Sequence, residues 1–522
     1  MYNLNIKNKI KLNLDLIYKE IKKISSKKKH PKGSLDEDYI KRKKNFSSPP
    51  FQYFSINYFN FSKKLEDNKK KKIKEEIIFL LSLQNKDGSY DEWYKNERSF
   101  CTSSYTSFLI SNLLLENNKL DSKIKKKLIS SLEKSFYFLK NKFNKNILNQ
   151  NLAKLIFLQN YLKINKKNKK IINSELSSHL IKVYDFVINS DDHEYKGIDL
   201  GYLTVSLMLS AQILKKNDCK KTNQIFLKLI KLARNLTLNF NYFPSYIFSR
   251  SSRIFLIYGF YFALKKNFIS TNEFRNIYKF YNENFKTIYG LKNLRYLSFF
   301  YSTDQVLVLL DNTKKINKKN YTVNKIEKIN DYITHIKKDM KIFIYKKNPN
   351  LVAFNTRGKT KILLCKSIVF KNDRYVPAVL KNIKILDNKI LIKQKFIKIN
   401  NLKNVALKFL TLISIFSRIK ILNRLIDYFA KYFLIIKKKE NNDFKKFRTI
   451  YIKDKKIFIK DIIISKKIKY YLIPSHEAHY FSPTSFLLKD EILRLKKITT
   501  KKLYKMNKKV LLTTYEFYNK KF

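Results

Sequence analysis

Glycine, proline and cysteine are scarce in this sequence, which has seven Gly, eight Pro and three Cys among 522 residues. So little Gly and Pro excludes a collagen-like chain or a Gly/Pro-rich disordered one. The cysteines, Cys101, Cys219 and Cys365, are odd in number and too widely spaced for a zinc knuckle. They argue against a disulfide framework and indicate a reducing compartment. We therefore expect a cytoplasmic protein with no structural metal site.

The sequence also lacks a long uninterrupted apolar run. Residues 1–29 have no apolar core followed by a small-residue cleavage site, so no secretory signal is expected. The most apolar stretch, 405–417, is too short to span a bilayer and contains Lys408. With the basic residues that follow, it is typical of an amphipathic helix or helix pair. We expect it to pack on its domain; the alternative is peripheral membrane contact through residues 405–438.

Acidic residues are few, 41 against 110 basic ones, which gives a formal net charge of +69. Taken alone, this charge favours a nucleic acid or an anionic membrane as partner. However, Lys, Asn, Ile, Phe and Tyr are all enriched, as a genome biased toward A and T would produce. Only about a dozen basic residues are Arg, the better phosphate ligand. Nucleic acid binding is therefore a disfavoured alternative, and an acidic polysaccharide is the expected polyanion if the charge is functional.

Apolar residues recur at helical spacing in ten segments between residues 71 and 310. The segments are 73–84, 103–116, 124–142, 152–161, 175–188, 203–214, 222–238, 252–264, 271–285 and 302–310. Short polar loops separate them, so the helices should form sequential antiparallel pairs. This arrangement is typical of an α/α toroid or a solenoid and not of a four-helix bundle.

Beyond about residue 338 the pattern changes to short, partly alternating segments rich in Ile, Val, Phe and Tyr, which predict antiparallel strands. The segments are 341–345, 351–355, 361–370, 381–386, 389–399, 449–452, 456–464 and 469–474. We therefore predict an α+β multidomain fold: an N-terminal α/α toroid, an incomplete barrel of helical hairpins, followed by an antiparallel β-sandwich with a helical insert. The predicted divisions are a basic N-terminal arm that begins with a short helix (1–70), the toroid (71–311), the β domain (331–490) with its insert (402–438), and a basic C-terminal tail (491–522).

The richest loop in the helical part lies within LLSLQNKDGSYDEWYKNERSFCTSSY, residues 80–105. Gly88, one of the scarce glycines, follows Asp87 in a tight turn. The only Trp, Trp93, and its neighbour Tyr94 could stack on a sugar face. Polar contacts to the sugar are assigned to Glu92, Asn96, Glu97 and Arg98. The alternative is that this segment only builds the turn between two helices.

The string LLSLQNKDGSY resembles the repeat of the squalene cyclase and prenyltransferase toroids, in which Gln, Gly and an aromatic residue staple adjacent helices. The adjoining DEWYKNER more closely resembles heparinase II/III-like proteins of polysaccharide pathways, which combine a helical toroid with a C-terminal β-sandwich. The resemblance covers roughly residues 76–485 and rests on four separated segments. The Asp-rich acid motif of squalene-type cyclases and the D-D-x-x-D motif of terpene synthases are absent, so terpene chemistry is disfavoured.

The second segment, LNQNLA at residues 148–153, opens a predicted helix. Its adjacent amides could cap the helix. The resemblance instead implies that Asn149 or Gln150 points into the cleft and helps to neutralise a substrate carboxylate, as an amide does in heparinase-like lyases.

The third segment, DHEYKGIDLGYLT at residues 192–204, resembles the E-Y-G-G-A-D-x-G-Y loop of the same proteins, with Lys196 in place of a Gly. A Tyr in such a loop can take the C5 proton of a uronic acid and donate to the leaving oxygen. Tyr202 is our first choice and Tyr195 our second, although both could simply pack the loop. His193 is a candidate base or an incidental surface residue. Glu194 and Asp199 could bind a cation or orient hydroxyls of the substrate.

In the fourth segment, Arg250 and Arg253 lie just before a predicted helix. Positive charge does not suit a helix N-terminus. The pair could therefore bind a substrate carboxylate or sulfate, or a carboxylate of a neighbouring loop. In the β part, His476 and His479 lie three residues apart between prolines, which is not the helical zinc pattern, so no metal is expected.

No nucleotide-binding or hydrolase motif occurs in the sequence, so no cofactor is expected. We predict a carbohydrate-active protein that acts on or binds an acidic polysaccharide or oligosaccharide. If catalytic, it would be a polysaccharide lyase or a uronate C5 epimerase of surface-polysaccharide metabolism. The alternative is a non-catalytic protein for glycan binding or assembly in polysaccharide biosynthesis.

Overall fold

The structure is a computed structural model of the chain. It describes residues 2–25, 31–36, 47–61, 67–92, 95–116, 120–190, 193–194, 198–237, 240, 243, 254–290 and 293–313, together with the thirteen strands whose bounds are given below. Among these residues, no helix combines the length and the apolar character needed to cross a membrane.

Thirteen α-helices lie in the described residues of the first part of the chain, and each of the ten predicted segments overlaps one of them. The helices are α1 Tyr2–Ser25, α2 Tyr53–Phe61, α3 Asp67–Ser82, α4 Phe100–Glu116, α5 Ser122–Leu139, α6 Leu148–Ile164, α7 Lys169–Ile188, α8 Leu200–Lys216, α9 Lys220–Leu236, α10 Tyr258–Lys265, α11 Thr271–Gly290, α12 Leu294–Tyr296 and α13 Ser302–Leu310. A π-helical turn, Leu297–Tyr301, joins α12 to α13.

Six of these helices pack on one another in a cyclic order. α2 packs on α4, α4 on α6, α6 on α8, α8 on α10, α10 on α13, and α13 returns to α2. We call these six the inner helices. The central residues of α4, α6 and α8 are buried on every side, as expected of helices that are enclosed all round. Gly259 allows α10 to pack closely on α8, because a Cβ there would lie 2.7 Å from the Leu207 Cβ.

Helices α5, α7, α9 and α11 bury one apolar stripe and expose a charged face. Alternation of inner and outer helices along the chain brings the N-termini of the inner helices to one end of the ring. Their C-termini lie at the other end.

Residues 1–70, expected to be a basic arm, supply helices to the core. In α1, Ile6, Ile10, Leu14 and Ile17 are buried at helical spacing, and the helix packs on α13. The Lys7 Nζ donates to the Leu309 carbonyl oxygen at 3.2 Å. The arm prediction failed for this segment because abundant lysines on the exposed face obscured the apolar stripe.

The second part of the chain is antiparallel β-structure, as predicted. The strands are β1 Tyr332–Lys337, β2 Met340–Tyr345, β3 Leu351–Asn355, β4 Thr360–Leu363, β5 Lys366–Phe370, β6 Asp373–Pro377, β7 Asn382–Leu386, β8 Lys389–Ile399, β9 Glu440–Lys453, β10 Lys456–Ser465, β11 Tyr470–Pro474, β12 Tyr504–Met506 and β13 Val510–Phe517. One sheet has the order β1-β2-β3-β4; the other has the order β12-β11-β5-β6-β8-β9-β10-β13, with β7 paired to β8.

Arg448 and Asp461 face each other across β9 and β10 in a buried two-pronged ion pair, with N–O distances of 2.6 and 2.8 Å. The residues expected to form a C-terminal tail contribute β12 and β13, which pair with β11 and β10. The predicted insert 402–438, and with it the proposed membrane contact, lies outside the described residues.

Candidate functional site

Three of the four segments singled out from the sequence lead into inner helices α4, α6 and α8, so the fold brings them to the same end of the ring. The entries of α6 and α8 are joined directly. The Leu148 N–H donates to the His193 carbonyl oxygen at 3.1 Å, and Ile147 forms a β-bridge with Glu194. Residues 45 positions apart in sequence thus become neighbours at the start of two adjacent helices.

The loop between α3 and α4 is organised by the buried carboxylate of Asp91. It accepts hydrogen bonds from the Asn85 amide at 2.9 Å, the Asn96 N–H at 2.7 Å and the Arg98 N–H at 2.8 Å. Burial raises the pKa of Asp91, and these three donors act in the opposite direction. Asn96 and Arg98 both have positive φ, at 63° and 54°, which the bonds to Asp91 stabilise.

The polar residues predicted to contact a sugar from this loop are engaged within the protein. Glu92 forms a buried ion pair with Arg295, and the Glu97 carboxylate accepts from the Glu92 N–H at 2.7 Å. Arg98 lies near the surface, with its Nε 3.4 Å from the Asp87 carboxylate. Trp93 and Tyr94 lie outside the described residues.

A buried hydrogen-bonded chain of three side chains connects α4, α6 and the loop before α8. The Tyr105 hydroxyl donates to Asn149 Oδ1 at 3.1 Å, and Asn149 Nδ2 donates to Glu194 Oε2 at 3.1 Å. Burial raises the pKa of Tyr105 well above its ordinary value, and the nearby Tyr202 and Glu194 also raise it. The Tyr105 phenol is therefore protonated at neutral pH and acts as a donor. We call Tyr105, Asn149, Glu194 and Tyr202 the polar cluster.

Tyr202 lies in the first turn of α8, 7% exposed. Its backbone N–H donates to Asp199 Oδ1 at 3.0 Å, so Asp199 acts as the N-cap of this helix. The Tyr202 ring meets the Phe300 ring edge-on, with centroids 6.1 Å apart. The Tyr105 ring meets Phe299 in the same way at 4.7 Å.

Phe299 and Phe300 belong to the π-helical turn and stack on each other at 4.1 Å. Both tyrosines of the polar cluster are thus held against one π-helical turn, a local structure that occurs frequently at functional sites. His193 is buried beside the cluster, and its ring meets Phe186 edge-on at 5.9 Å.

Among the predicted site residues, the structure brings together Asn149, Glu194 and Tyr202. Gln150, the other candidate amide, lies apart and accepts a hydrogen bond from the Asn144 amide at 2.8 Å. Tyr195, Arg250 and Arg253 lie outside the described residues, as do His476 and His479. Within the part of the chain that the structure describes, no group of three potential metal ligands occurs.

Tyr105, Arg295 and the Phe299–Phe300 pair are site residues that the sequence motifs did not predict. Arg295 carried a usable signal, because Arg is rare in this lysine-rich chain. The others carried none, because aromatic residues are abundant and the segment around the π-helical turn is too short to show helical spacing.

Comparison with solved structures finds similarity to polysaccharide lyases. A chondroitinase AC lyase, solved in complexes with oligosaccharides, matches with a TM-score of 0.39 and 10% identity, over 91% of this chain and 69% of that one. A heparinase III with methylated lysines matches with a TM-score of 0.32 and 10% identity, over 81% of this chain and 61% of that one. This chain therefore spans less than two thirds of that heparinase. No protein-family model matches the sequence, and neither does any curated protein.

Proposed function

We propose that the helical part is an α/α toroid and that the protein acts on an acidic polysaccharide by abstracting the proton α to a uronate carboxylate. The reaction would be β-elimination, as in a lyase, or C5 epimerisation. The observation that supports this proposal is the polar cluster, where one amide, one carboxylate and two phenols meet at the N-terminal ends of the inner helices.

Abstraction of the C5 proton requires that the adjacent carboxylate be neutralised, because the developing negative charge spreads into it. Asn149 is suited to this task. Its Oδ1 accepts from Tyr105 and its Nδ2 donates to Glu194, so the orientation of the amide is fixed. The second N–H of the same amide group would donate to the substrate. The N-termini of α6 and α8 lie beside it and favour an anionic group through their dipoles.

Tyr202 is the proposed acid and base, with Tyr195 as the second choice. It projects from the first turn of α8 and lies close enough to Tyr105 of the polar cluster to raise its pKa. Glu194 holds Asn149, and Phe300 holds the Tyr202 ring. We further propose that Arg250 and Arg253 contribute to carboxylate recognition and that Trp93 supplies a stacking surface for a sugar ring.

The test is incubation with uronic acid polymers, monitored for unsaturated products and for deuterium exchange at C5. Asn149→Ala should lower the rate about 10²–10³-fold, the usual cost of removing one donor to a developing oxyanion. Gln150→Ala is the matched control, because it removes the neighbouring amide that lies outside the polar cluster. Tyr202→Phe should abolish turnover. A wild-type protein inactive on all uronates, or full activity in both Tyr202→Phe and Tyr195→Phe, would refute this mechanism.

A second candidate is glycan binding without turnover, in a protein of polysaccharide assembly. The observation that favours it is that candidate site residues bind other residues of the protein, above all in the Glu92–Arg295 ion pair. Calorimetric titration with the same polymers distinguishes the two. Binding that is unchanged in Tyr202→Phe, without product in wild type, would support this alternative.

A further inference from the structure

The opposite end of the ring, where the inner helices terminate, encloses a lysine amine. Lys216 lies in the last turn of α8, and its Nζ donates to Asn112 Oδ1 on α4 and to Asn160 Oδ1 on α6, both at 2.7 Å. Asn160 Nδ2 in turn donates to Asn112 Oδ1 at 2.8 Å and to Ser111 Oγ at 2.9 Å. Three inner helices are thus joined through one amine and two buried amides.

The hydrogen-bond acceptors of this amine are neutral amide oxygens, whereas two other lysines of the helical part pair with carboxylates. Lys154 pairs with the Glu175 carboxylate at 2.7 Å, and Lys215 pairs with Asp311 at 3.2 Å. A carboxylate holds a lysine in its charged form, whereas an amide oxygen accepts from the charged and the neutral amine alike. The environment of Lys216 therefore does not require a positive charge.

The charged groups that face Lys216 come from all three helices. Glu116 on α4 favours the ammonium form, whereas Lys163 on α6 and Lys215 on α8 oppose it. Burial is the largest influence and, together with these groups, lowers the pKa of Lys216 to about 7. A substantial fraction of this amine is therefore neutral at physiological pH, whereas an ordinary solvated lysine is almost entirely protonated.

The hydrogen-bond geometry around the Lys216 Nζ also favours the neutral amine, which is the reactive form. A neutral amine has two N–H bonds and one lone pair. The two amide oxygens can accept both N–H groups, so the lone pair occupies the position that the third N–H had in the ammonium. Lys216 as a whole residue is only partly buried, so we expect a small reagent to approach Nζ from the solvent side.

We propose that Lys216 is a site of acylation by small acyl thioesters. The lone pair of Nζ attacks the thioester carbonyl carbon and an N–C bond forms. The C–S bond then breaks, the thiolate leaves with the electron pair and takes up a proton, and Nζ releases one proton to solvent. The product is a neutral amide with one N–H, so the junction of α4, α6 and α8 loses one donor of the neutral amine and can no longer carry the ammonium charge.

The test is competitive labelling of the whole chain with the acetyl thioester of N-acetylcysteamine at pH 6–9, read by peptide mass spectrometry. We expect Lys216 to be acetylated at least 10-fold faster at pH 7.5 than its neighbour Lys215, with a half-maximal rate near pH 7. In denaturant this difference should disappear. Lys142, whose pKa burial lowers to about 8, is the expected second site, with a profile shifted to higher pH.

Asn160→Asp places a carboxylate beside the amine and should slow labelling of Lys216 about 10-fold, because it favours the ammonium form. Asn112→Asp tests the same point from α4, should the first variant fail to fold. Lys215→Gln is the matched control and should leave the Lys216 rate the same or lower it slightly, because Lys215 opposes the ammonium form. The proposal is overturned if Lys216 reacts no faster than Lys215 in the native protein, or if its rate rises only above pH 9.

Discussion

Gly88 offers the sharpest test of how the loop before α4 is held. Its φ is +86°, and a Cβ at this position would lie 2.1 Å from the Lys134 carbonyl oxygen and 2.3 Å from the Lys134 carbonyl carbon. Both distances are more than 1 Å too short, and the opposing atoms belong to the backbone of α5, which cannot move alone. Gly88→Ala must therefore lift the loop off α5.

Several contributions to the cost can be estimated. Positive φ in an alanine costs about 1 kcal/mol. Lifting the loop breaks the bonds that the Gly88 carbonyl oxygen accepts from Gln84 Nε2 at 3.1 Å and Ser135 Oγ at 3.0 Å, each worth about 1 kcal/mol net. With residual strain, we expect the free energy of unfolding to fall by about 3–5 kcal/mol.

Urea unfolding followed by circular dichroism measures this loss, from the midpoint and the slope of the transition. Gly290→Ala is the matched control, because no atom lies within 4 Å of the Cβ it adds at the end of α11. That variant should be neutral or more stable by up to about 1 kcal/mol. A Gly88→Ala protein within about 1 kcal/mol of wild type would show that the loop does not press on α5.

Two further predictions concern buried charge. Arg295→Met should cost about 3–5 kcal/mol in urea unfolding, because it leaves the Glu92 carboxylate buried without its cation. Adding Glu92→Gln should recover at least half of that loss, and a double variant no more stable than Arg295→Met would contradict this assignment. His179 lies 2% exposed with its Nε2 3.0 Å from the Asn151 carbonyl oxygen, and burial lowers its pKa to about 3. The unfolded chain therefore binds a proton that the native state excludes. The contribution of His179 to the free energy of unfolding should be fully present above about pH 6.5 and be lost as the pH falls toward 3. This loss is at most about 5 kcal/mol. In His179→Gln the unfolding free energy should depend less on pH over this interval; an unchanged acid slope would show that His179 does not titrate in this way.

The helical part could be predicted largely from sequence, because a buried stripe leaves a period of 3.6 residues whatever the composition. The starts of α4 and α8 were predicted three residues too late, at 103 and 203 in place of Phe100 and Leu200. In α1 the stripe was present at Ile6, Ile10, Leu14 and Ile17 but was hidden among lysines. Strands β12 and β13 escaped prediction for a different reason: their partners, β11 and β10, come from distant parts of the sequence.

The candidate site could be predicted only where its residues share a local motif. Asn149, Glu194 and Tyr202 each stood in a polar segment at the start of a helix, and the first two hydrogen-bond directly. Glu92 and Arg295 are 203 positions apart and meet because α13 packs back on α2. A contact that forms only when the ring closes cannot be predicted from the spacing of residues within one segment. Asp199, by contrast, is prominent in its sequence motif, yet its side chain caps helix α8.

The surplus of lysine is a poor guide to what the protein binds. At the C-terminal end of the ring, Lys215 and Lys265 flank the buried Asp311 carboxylate, and Lys216 is bound between amides. Cations at this end complement the negative ends of the inner helices and stabilise the fold. The polar cluster lies at the other end, where the helix dipoles themselves favour an anion. An anionic sugar at the polar cluster would therefore be recognised by an amide, phenols and helix N-termini. Its affinity should accordingly depend less on salt than a net charge of +69 would suggest.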